Sequence, residues 1–253
     1  MLKNIDLNID GGKTLALVGE SGSGKTMCAF SILGLLPENI MLTNGEVWFK
    51  DRLIAEKNRY LGIDLRGKHI AMIFQQPAGA LNPVFTIGTQ INDVLQDNLG
   101  LTQKSAEIRS CELLNLVGFE NPERTFRLYP HELSGGMAQR VMIAIALSCR
   151  PELIIADEPT TALDVIAQAK ILRLLKDLQR NFGFALFFIT HNIRIIPVLA
   201  DEVAVMHKGE IVEFSDAKSL LTYPQHEYST SLLNSCGLKS FKKVQAVESA
   251  ITF

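Results

Sequence analysis

Residues Gly19 to Thr26 read Gly-Glu-Ser-Gly-Ser-Gly-Lys-Thr, a glycine, four free positions and then Gly-Lys-Thr, which is the spacing of a phosphate-cradling loop. The loop follows Thr14-Leu15-Ala16-Leu17-Val18, a short apolar β-leaning run, and precedes Met27 to Leu36, whose mostly apolar residues suit a buried helix. Strand, loop and helix in that order are what phosphate binding requires. Gly19, Gly22 and Gly24 let the backbone turn tightly and bring several N–H donors to one point, where a helix N-terminus also favours negative charge. A triphosphate fits there, with Lys25 reaching the β- and γ-phosphates and the Thr26 hydroxyl ligating magnesium. Chance alone produces these four fixed positions in roughly one chain of this length in a hundred, and the flanking pattern lowers that further.

The 253 residues suffice for one large or two small domains, and 47% hydrophobic composition is ordinary for a globular protein. Twenty-five basic against 27 acidic residues leave a net charge of −2, so there is no bulk electrostatic case for nucleic acid or anionic lipid. Cys28, Cys111, Cys149 and Cys236 are scattered, with no short-spaced pair for zinc or redox exchange, and are expected as reduced thiols. The longest wholly apolar stretch, Val141 to Leu147, is far shorter than the roughly 20 residues that cross a bilayer. The N-terminus offers no apolar stretch of signal-peptide length, so export is not expected.

Leu2 to Ile9 alternates Leu7 and Ile9 with polar neighbours before the turn Asp10-Gly11-Gly12-Lys13, which predicts a hairpin into the strand at Thr14. Glu46 to Lys50 reads as a strand, the polar stretch Asp51 to Lys68 as loop and short helix, and His69 to Phe74 as a buried strand ending at Gln75. Beyond Gln76 the character changes to loops and helices, with helical patterns in Thr89 to Leu99, Lys104 to Val117 and Gln139 to Ser148. Leu133-Ser134-Gly135-Gly136 stands just before the last of these, a second helix N-terminus suited to an anion.

Leu153-Ile154-Ile155-Ala156 is an apolar run that delivers Asp157 and Glu158 at its end, where Pro159 stops the strand. Side chains alternate along a strand, so the two carboxylates point differently: one can hold a magnesium shell and the other an attacking water. Val165 to Asn181 has helical apolar spacing at Ile166, Ala169, Leu172, Leu175 and Leu178. Phe184 to Ile189 is a further buried strand ending at Thr190-His191, where His191 could sense a phosphate. Asp201 to Met206 and Ile211 to Phe214 read as a hairpin about Lys208-Gly209, and Glu227 to Phe253 as a weakly patterned tail. Strands alternating with helices and carrying ligand groups at their carboxyl ends predict a mostly parallel α/β sheet with a helical block inserted between two strands.

Together, Gly19 to Thr26, Gln75, Leu133 to Arg140, Leu153 to Glu158, Ala162-Leu163-Asp164 and His191 resemble the nucleotide-binding subunit of an ABC transporter over nearly the whole chain. The resemblance implies a P-loop NTPase core at 1–75 and 150–226, a helical subdomain at 76–149 and a tail at 227–253. It implies that Gly19, Glu20, Ser21, Gly22, Ser23, Gly24, Lys25 and Thr26 bind ATP, and that Thr26, Gln75 and Asp157 serve Mg2+. Lys25, Gln75, Glu158 and His191 then carry hydrolysis, with Glu158 polarising water and His191 contacting the γ-phosphate. Ser134, Gly135 and Gly136 would serve the nucleotide of a second ATPase subunit in a head-to-tail dimer, homo- or heteromeric.

Leu81-Asn82-Pro83-Val84-Phe85-Thr86-Ile87-Gly88, Tyr129 to Met137 and Tyr223-Pro224-Gln225-His226-Glu227-Tyr228 are similar to the subgroup that imports peptides and nickel. That implies two transmembrane permease partners, a solute-binding protein acting indirectly, and a peripheral place on the cytoplasmic face of the membrane, with no nucleic-acid partner. The only cysteine near the C-terminus is Cys236, which favours nickel or a metal chelate over di- or oligopeptides within that subgroup. The chain departs from the family in two places. Eighteen residues precede Gly19 and none is aromatic, so the N-terminal β-elements are expected to be shortened and adenine to lack an aromatic platform. Asn192 also stands where an acidic residue is usual. A soluble ABC-type ATPase of DNA repair or translation would need long insertions or tandem cassettes. A small-molecule kinase would not need Leu133 to Gln139 or Glu158. A non-catalytic cassette would have lost Lys25, Glu158 or His191.

Overall fold

Every residue of Thr14–Val18 is buried, as befits a central strand covered on both faces. A computed structural model describes residues 2–237. In chain order the elements are β1 (Thr14–Val18), α1 (Lys25–Leu33), β2 (Val47–Phe49), β3 (Arg52–Glu56), β4 (Arg59–Tyr60), β5 (Ile70–Ile73), α2 (Pro77–Ala80) and α3 (Ile87–Leu99). They continue as α4 (Gln103–Leu116), α5 (Pro122–Arg127), α6 (Gly135–Leu147), β6 (Leu153–Asp157), α7 (Val165–Phe182), β7 (Ala185–Thr190) and α8 (Ile196–Leu199). The last are β8 (Glu202–His207), β9 (Glu210–Asp216), α9 (Ala217–Thr222) and α10 (Glu227–Ser235). The strands of the core are mostly parallel, which with the helices makes an α/β fold.

The chain divides into two compact units, one holding residues up to Arg66 and those from Ala185 onward, the other Gly67–Phe184. In the first unit β1 pairs in parallel with β7, Thr14 opposite Leu186 through Val18 opposite Thr190. On its other side β1 pairs in parallel with β8, to which β9 is antiparallel. Lys208 and Gly209 both take positive φ, 48° and 85°, the turn that suits the twist of a tight hairpin. Ala16, Val18, Val203 and Val205 line one face of these strands, and Ile196, Leu220 and Leu233 from α8, α9 and α10 pack on it. Burying each of these Val, Ile and Leu side chains stabilises the fold by roughly 1.5–3 kcal/mol.

Two expectations fail in this unit. No strand is formed over Leu2–Ile9, so no hairpin leads into β1. Its backbone bond from Lys3 N–H goes to the carbonyl of Gly209, in the β8–β9 turn, which is not the repeated ladder a strand partner would supply. Residues 51–68 are more than loop and short helix: they supply β3 and β4, which with β2 make a second sheet, β2-β3-β4, and only then a 3₁₀ turn at Ile63–Leu65. Lys50 and Asn58 take positive φ, both 54°, at its turns, a conformation the polar spelling of the stretch did not announce. Arg66 donates to the carbonyls of Leu33 and Gly34 at 2.7 and 2.9 Å. It thereby satisfies acceptors that the end of α1 leaves open.

In the second unit β5 and β6 are parallel, Ile70 opposite Leu153 through Ile73 opposite Ala156. Helices α3, α4 and α6 bury Ile87, Ile91, Leu114, Val141 and Ile143 completely. A buried hydrogen bond of 2.6 Å from the Ser110 hydroxyl to Asn92 Oδ1 ties α4 to α3. In α7 the buried stripe is Ile171, Leu172, Leu175 and Leu178, and Ile166, expected on that stripe, is 69% exposed. The weakly patterned tail also needs correction, since Glu227–Ser235 is the helix α10, followed by a turn at Cys236 and Gly237; residues 238–253 lie outside the described residues.

Candidate nucleotide site

The phosphate loop leaves β1 at Gly19 and enters α1 at Lys25. A Cβ on Gly19 would stand 2.2 Å from the carbonyl oxygen of Met206, so the close approach of β8 admits only glycine there. Gly24 caps α1 at φ 111° with no side-chain hydrogen bond to the helix. That leaves backbone donors of the first turn without a side-chain cap, the condition under which a helix start receives an anion. Lys25 is 5% exposed; its ammonium donates to the carbonyls of Gly19 at 2.9 Å and Glu20 at 2.8 Å. The Glu20 carbonyl also accepts from Ser23 N–H at 3.2 Å. Ser23 is 6% exposed and its hydroxyl meets no hydrogen-bond partner among the described residues. A buried hydroxyl in that state costs stability unless a ligand completes it, so the loop fits a phosphate group on its own geometry.

The register that sets Val18 opposite Thr190 sends Gly19 and His191 out from neighbouring strand ends in this unit. Thr190 is 4% exposed whereas His191 is exposed. Its successor Asn192 accepts from Arg194 N–H and opens a 3₁₀ turn over Ile193–Ile195.

In the second unit β6 ends at Asp157, which is 4% exposed, and the chain reverses at Glu158 with φ 45°. A left-handed conformation for a non-glycine residue costs of order 1–3 kcal/mol and is held by its surroundings. Here the holders are visible. Thr161 N–H donates to the Glu158 carbonyl at 3.2 Å, and the Thr161 hydroxyl donates to Oε2 of the same residue at 2.9 Å. Gln75, just beyond β5, donates from Nε2 to the same oxygen at 3.2 Å. Asp157 is buried and Glu158 half-buried; because Glu158 stands beyond β6 in a left-handed conformation, the turn and its hydrogen bonds set its side chain, and not the alternation of a strand. Each unit holds a hard oxygen donor of the kind that suits magnesium, the Thr26 hydroxyl in the first and the Asp157 carboxylate in the second.

Ser134 caps α6, its hydroxyl accepting from Met137 N–H at 3.3 Å. Ser134 and Gly135 are exposed, and a Cβ on Gly135 or Gly136 would find ordinary contact, 3.5 Å from Leu163 Cδ2 and 3.8 Å from Ala167 Cβ. Packing inside this unit does not demand the two glycines.

The structure thus gathers Gly19 to Thr26 with His191 in one unit, and Gln75 with Asp157 and Glu158 in the other. Sequence reasoning missed Thr161, which carries no motif of its own beyond its place three residues after Glu158. It also gave no role to Tyr228, whose hydroxyl oxygen accepts from Glu20 N–H at 3.2 Å.

This arrangement is that of a phosphate-loop ATPase. The family model described as ABC transporter matches residues 2–161, and the chain belongs to that family as an ATP-binding, ATP-hydrolysing subunit. It is 46% identical over 232 residues to the oligopeptide transport ATP-binding protein AppD of Bacillus subtilis, covering 91% of this chain and 71% of that protein. It is 43% identical over 231 residues to the dipeptide transport ATP-binding protein DppD of Haemophilus influenzae, covering 91% of this chain and 70% of that one. Among solved structures it is similar to a dimeric ATP-binding cassette in a post-hydrolysis state bound to ADP and Pi. There the TM-score is 0.72 at 30% identity, over 85% of this chain and 90% of that chain.

Proposed function

We propose that this chain is the ATPase subunit that powers a peptide importer. The observation that carries the proposal is its similarity, over 91% of its length, to an oligopeptide transport ATP-binding protein. The relatives reported above are named for oligopeptides and dipeptides, so peptide is the solute class favoured over nickel or a metal chelate.

In this reading the amides of residues 19–26 and the Lys25 ammonium bind the β- and γ-phosphates, and the Ser23 hydroxyl gains its partner from a phosphate oxygen. Thr26 and Asp157, assisted by Gln75, would hold Mg2+. When bound, the ion neutralises charge on the phosphate oxygens. Glu158 accepts a proton from, or orients, the attacking water. The hydrogen bonds from Gln75 and Thr161 hold its carboxylate for that task, and His191 donates to the γ-phosphate.

The open N-terminus of α6 is a second set of backbone donors, and we assign Ser134, Gly135 and Gly136 to the nucleotide of a second ATPase subunit in a head-to-tail dimer. A dimeric cassette among the similar structures supports this assembly. Among the described residues no helix is long and apolar enough to cross a membrane. From its similarity to transport ATP-binding proteins, we place the chain peripherally on the cytoplasmic face, against two permease subunits that receive solute from a binding protein. Val84 and Phe85, 69% and 46% exposed beside the start of α3, offer apolar side chains to such a partner. Reconstituting the chain with its permeases in vesicles tests the reading. Peptide-loaded binding protein should stimulate phosphate release, whereas stimulation by a nickel chelate and not by peptides would contradict it.

A further inference from the structure

Tyr223-Pro224-Gln225-His226-Glu227-Tyr228 has no part in the chemistry above, yet its contacts run directly to the phosphate loop. Glu213 on β9 is 9% exposed and fastens the segment. Its two carboxylate oxygens accept from the backbone N–H groups of Gln225 at 2.8 Å and His226 at 2.9 Å. His226 then caps α10, Nδ1 accepting from Tyr228 N–H at 3.1 Å. The Tyr228 ring lies against the ring of His207, at the end of β8, with centroids 3.9 Å apart. Backbone, helix and ring are thereby fixed before the hydroxyl is considered.

That hydroxyl reaches one particular peptide unit. The N–H of Glu20 donates to Tyr228 Oη at 3.2 Å, and the carbonyl of the same Gly19–Glu20 peptide accepts from Lys25 Nζ at 2.9 Å. A trans peptide is planar, with N–H and C=O pointing to opposite sides. The tyrosine hydroxyl and the lysine ammonium therefore hold the two ends of one rigid plate. We propose that Tyr228 is a positioning residue of the phosphate loop: by fixing the Gly19–Glu20 peptide it seats the Lys25 ammonium before nucleotide arrives. This rests on the reading of residues 19–26 as the ATP site.

Removing the hydroxyl frees one end of the plate and leaves the ring, the helix and every phosphate-binding group in place. The loss falls on preorganisation for binding, and not on the water-activating step, which belongs to Glu158. Tyr228→Phe is the test, read by the kcat and KM of ATP hydrolysis, by equilibrium ATP binding and by the thermal midpoint. Loss of one neutral hydrogen bond corresponds to about a two- to tenfold weaker interaction. The expected result is a KM and a dissociation constant for ATP raised by about that factor, kcat at saturating ATP within about twofold, and a midpoint without nucleotide within about 2 °C of wild type. Unchanged KM and ATP affinity in Y228F, beside a wild-type chain that binds ATP, would overturn the inference and leave the ATP reading intact. So would a fall in the midpoint that tracks the loss of affinity, since the hydroxyl would then be only structural. A wild-type chain that binds no ATP would overturn the reading on which the inference rests.

Discussion

Gln75 Nε2 donates to Glu158 Oε2 across 3.2 Å, joining the residue beyond β5 to the residue beyond β6. The amide shares that oxygen with the Thr161 hydroxyl, so Glu158 is aimed by two donors from different segments. Replacing Gln75 by Ala removes one of them and should lower kcat about tenfold, the scale of one hydrogen bond to a charged group. ATP affinity measured without Mg2+ should stay within about twofold, because the amide is assigned to a carboxylate and to the ion and not to the phosphates. Steady-state kinetics of Q75A and its equilibrium ATP binding without Mg2+ check the two numbers, and a loss confined to KM would contradict the assignment.

Ser134 caps α6 and faces outward with Gly135. Ser134→Arg removes the cap, at about 1 kcal/mol of stability, and places a long cation where the second subunit's nucleotide is assigned. ATP binding by the isolated chain should be unchanged, while hydrolysis should fall at least about tenfold for want of a completed site. Phosphate release by S134R at the wild-type rate would dispose of the head-to-tail arrangement.

The placement of the candidate groups on the fold was legible in the sequence wherever it is local. Gly19 to Thr26 sits in eight consecutive residues, and Asp157-Glu158 follows an uninterrupted apolar run, so spacing alone located the phosphate loop and the carboxylates. β1, β6 and β7 were equally clear, because all their residues are buried and buried strands read as continuous apolar stretches. The misses share a physical cause. At the turns of the small sheet the left-handed residues are Lys50 and Asn58, not the glycines that usually announce such turns. The bonds from Thr161 to Glu158 and from Glu20 to Tyr228 depend on tertiary placement, the latter across 208 positions, and no local pattern encodes them. Leu2 to Ile9 erred the other way: alternation is present, but the backbone bond at Lys3 goes to a turn carbonyl.

Glu213 provides a pH-dependent check on the C-terminal segment. Burial pushes its carboxyl up, but hydrogen bonds, among them those from the Gln225 and His226 amides, outweigh that and hold it below the usual value of 4.5. A carboxyl whose folded pKa lies under its unfolded one contributes stability that is fully present above the unfolded value and is lost as pH falls through the folded one. Wild type should therefore melt higher than Glu213→Gln at pH 7, and the gap should close progressively as pH is lowered through and below about 4.5. Thermal melts of the two chains across that range measure it; a gap that stays constant or widens in acid would contradict the sign.

The central claim is that Glu158 activates water at an ATP site. Glu158→Gln keeps the size of the side chain and its acceptor oxygen but removes the basic carboxylate. General-base catalysis contributes about 10²- to 10⁴-fold, so phosphate release from saturating ATP should fall by at least about a hundredfold. Nucleotide affinity should be preserved, with the protein trapped as a dimer holding two ATP molecules. Single-turnover phosphate release, measured side by side for wild type and E158Q at matched ATP occupancy, is the most direct test. Retained ATP with phosphate release nearly abolished is the predicted result, and release by E158Q at the wild-type rate would contradict the account.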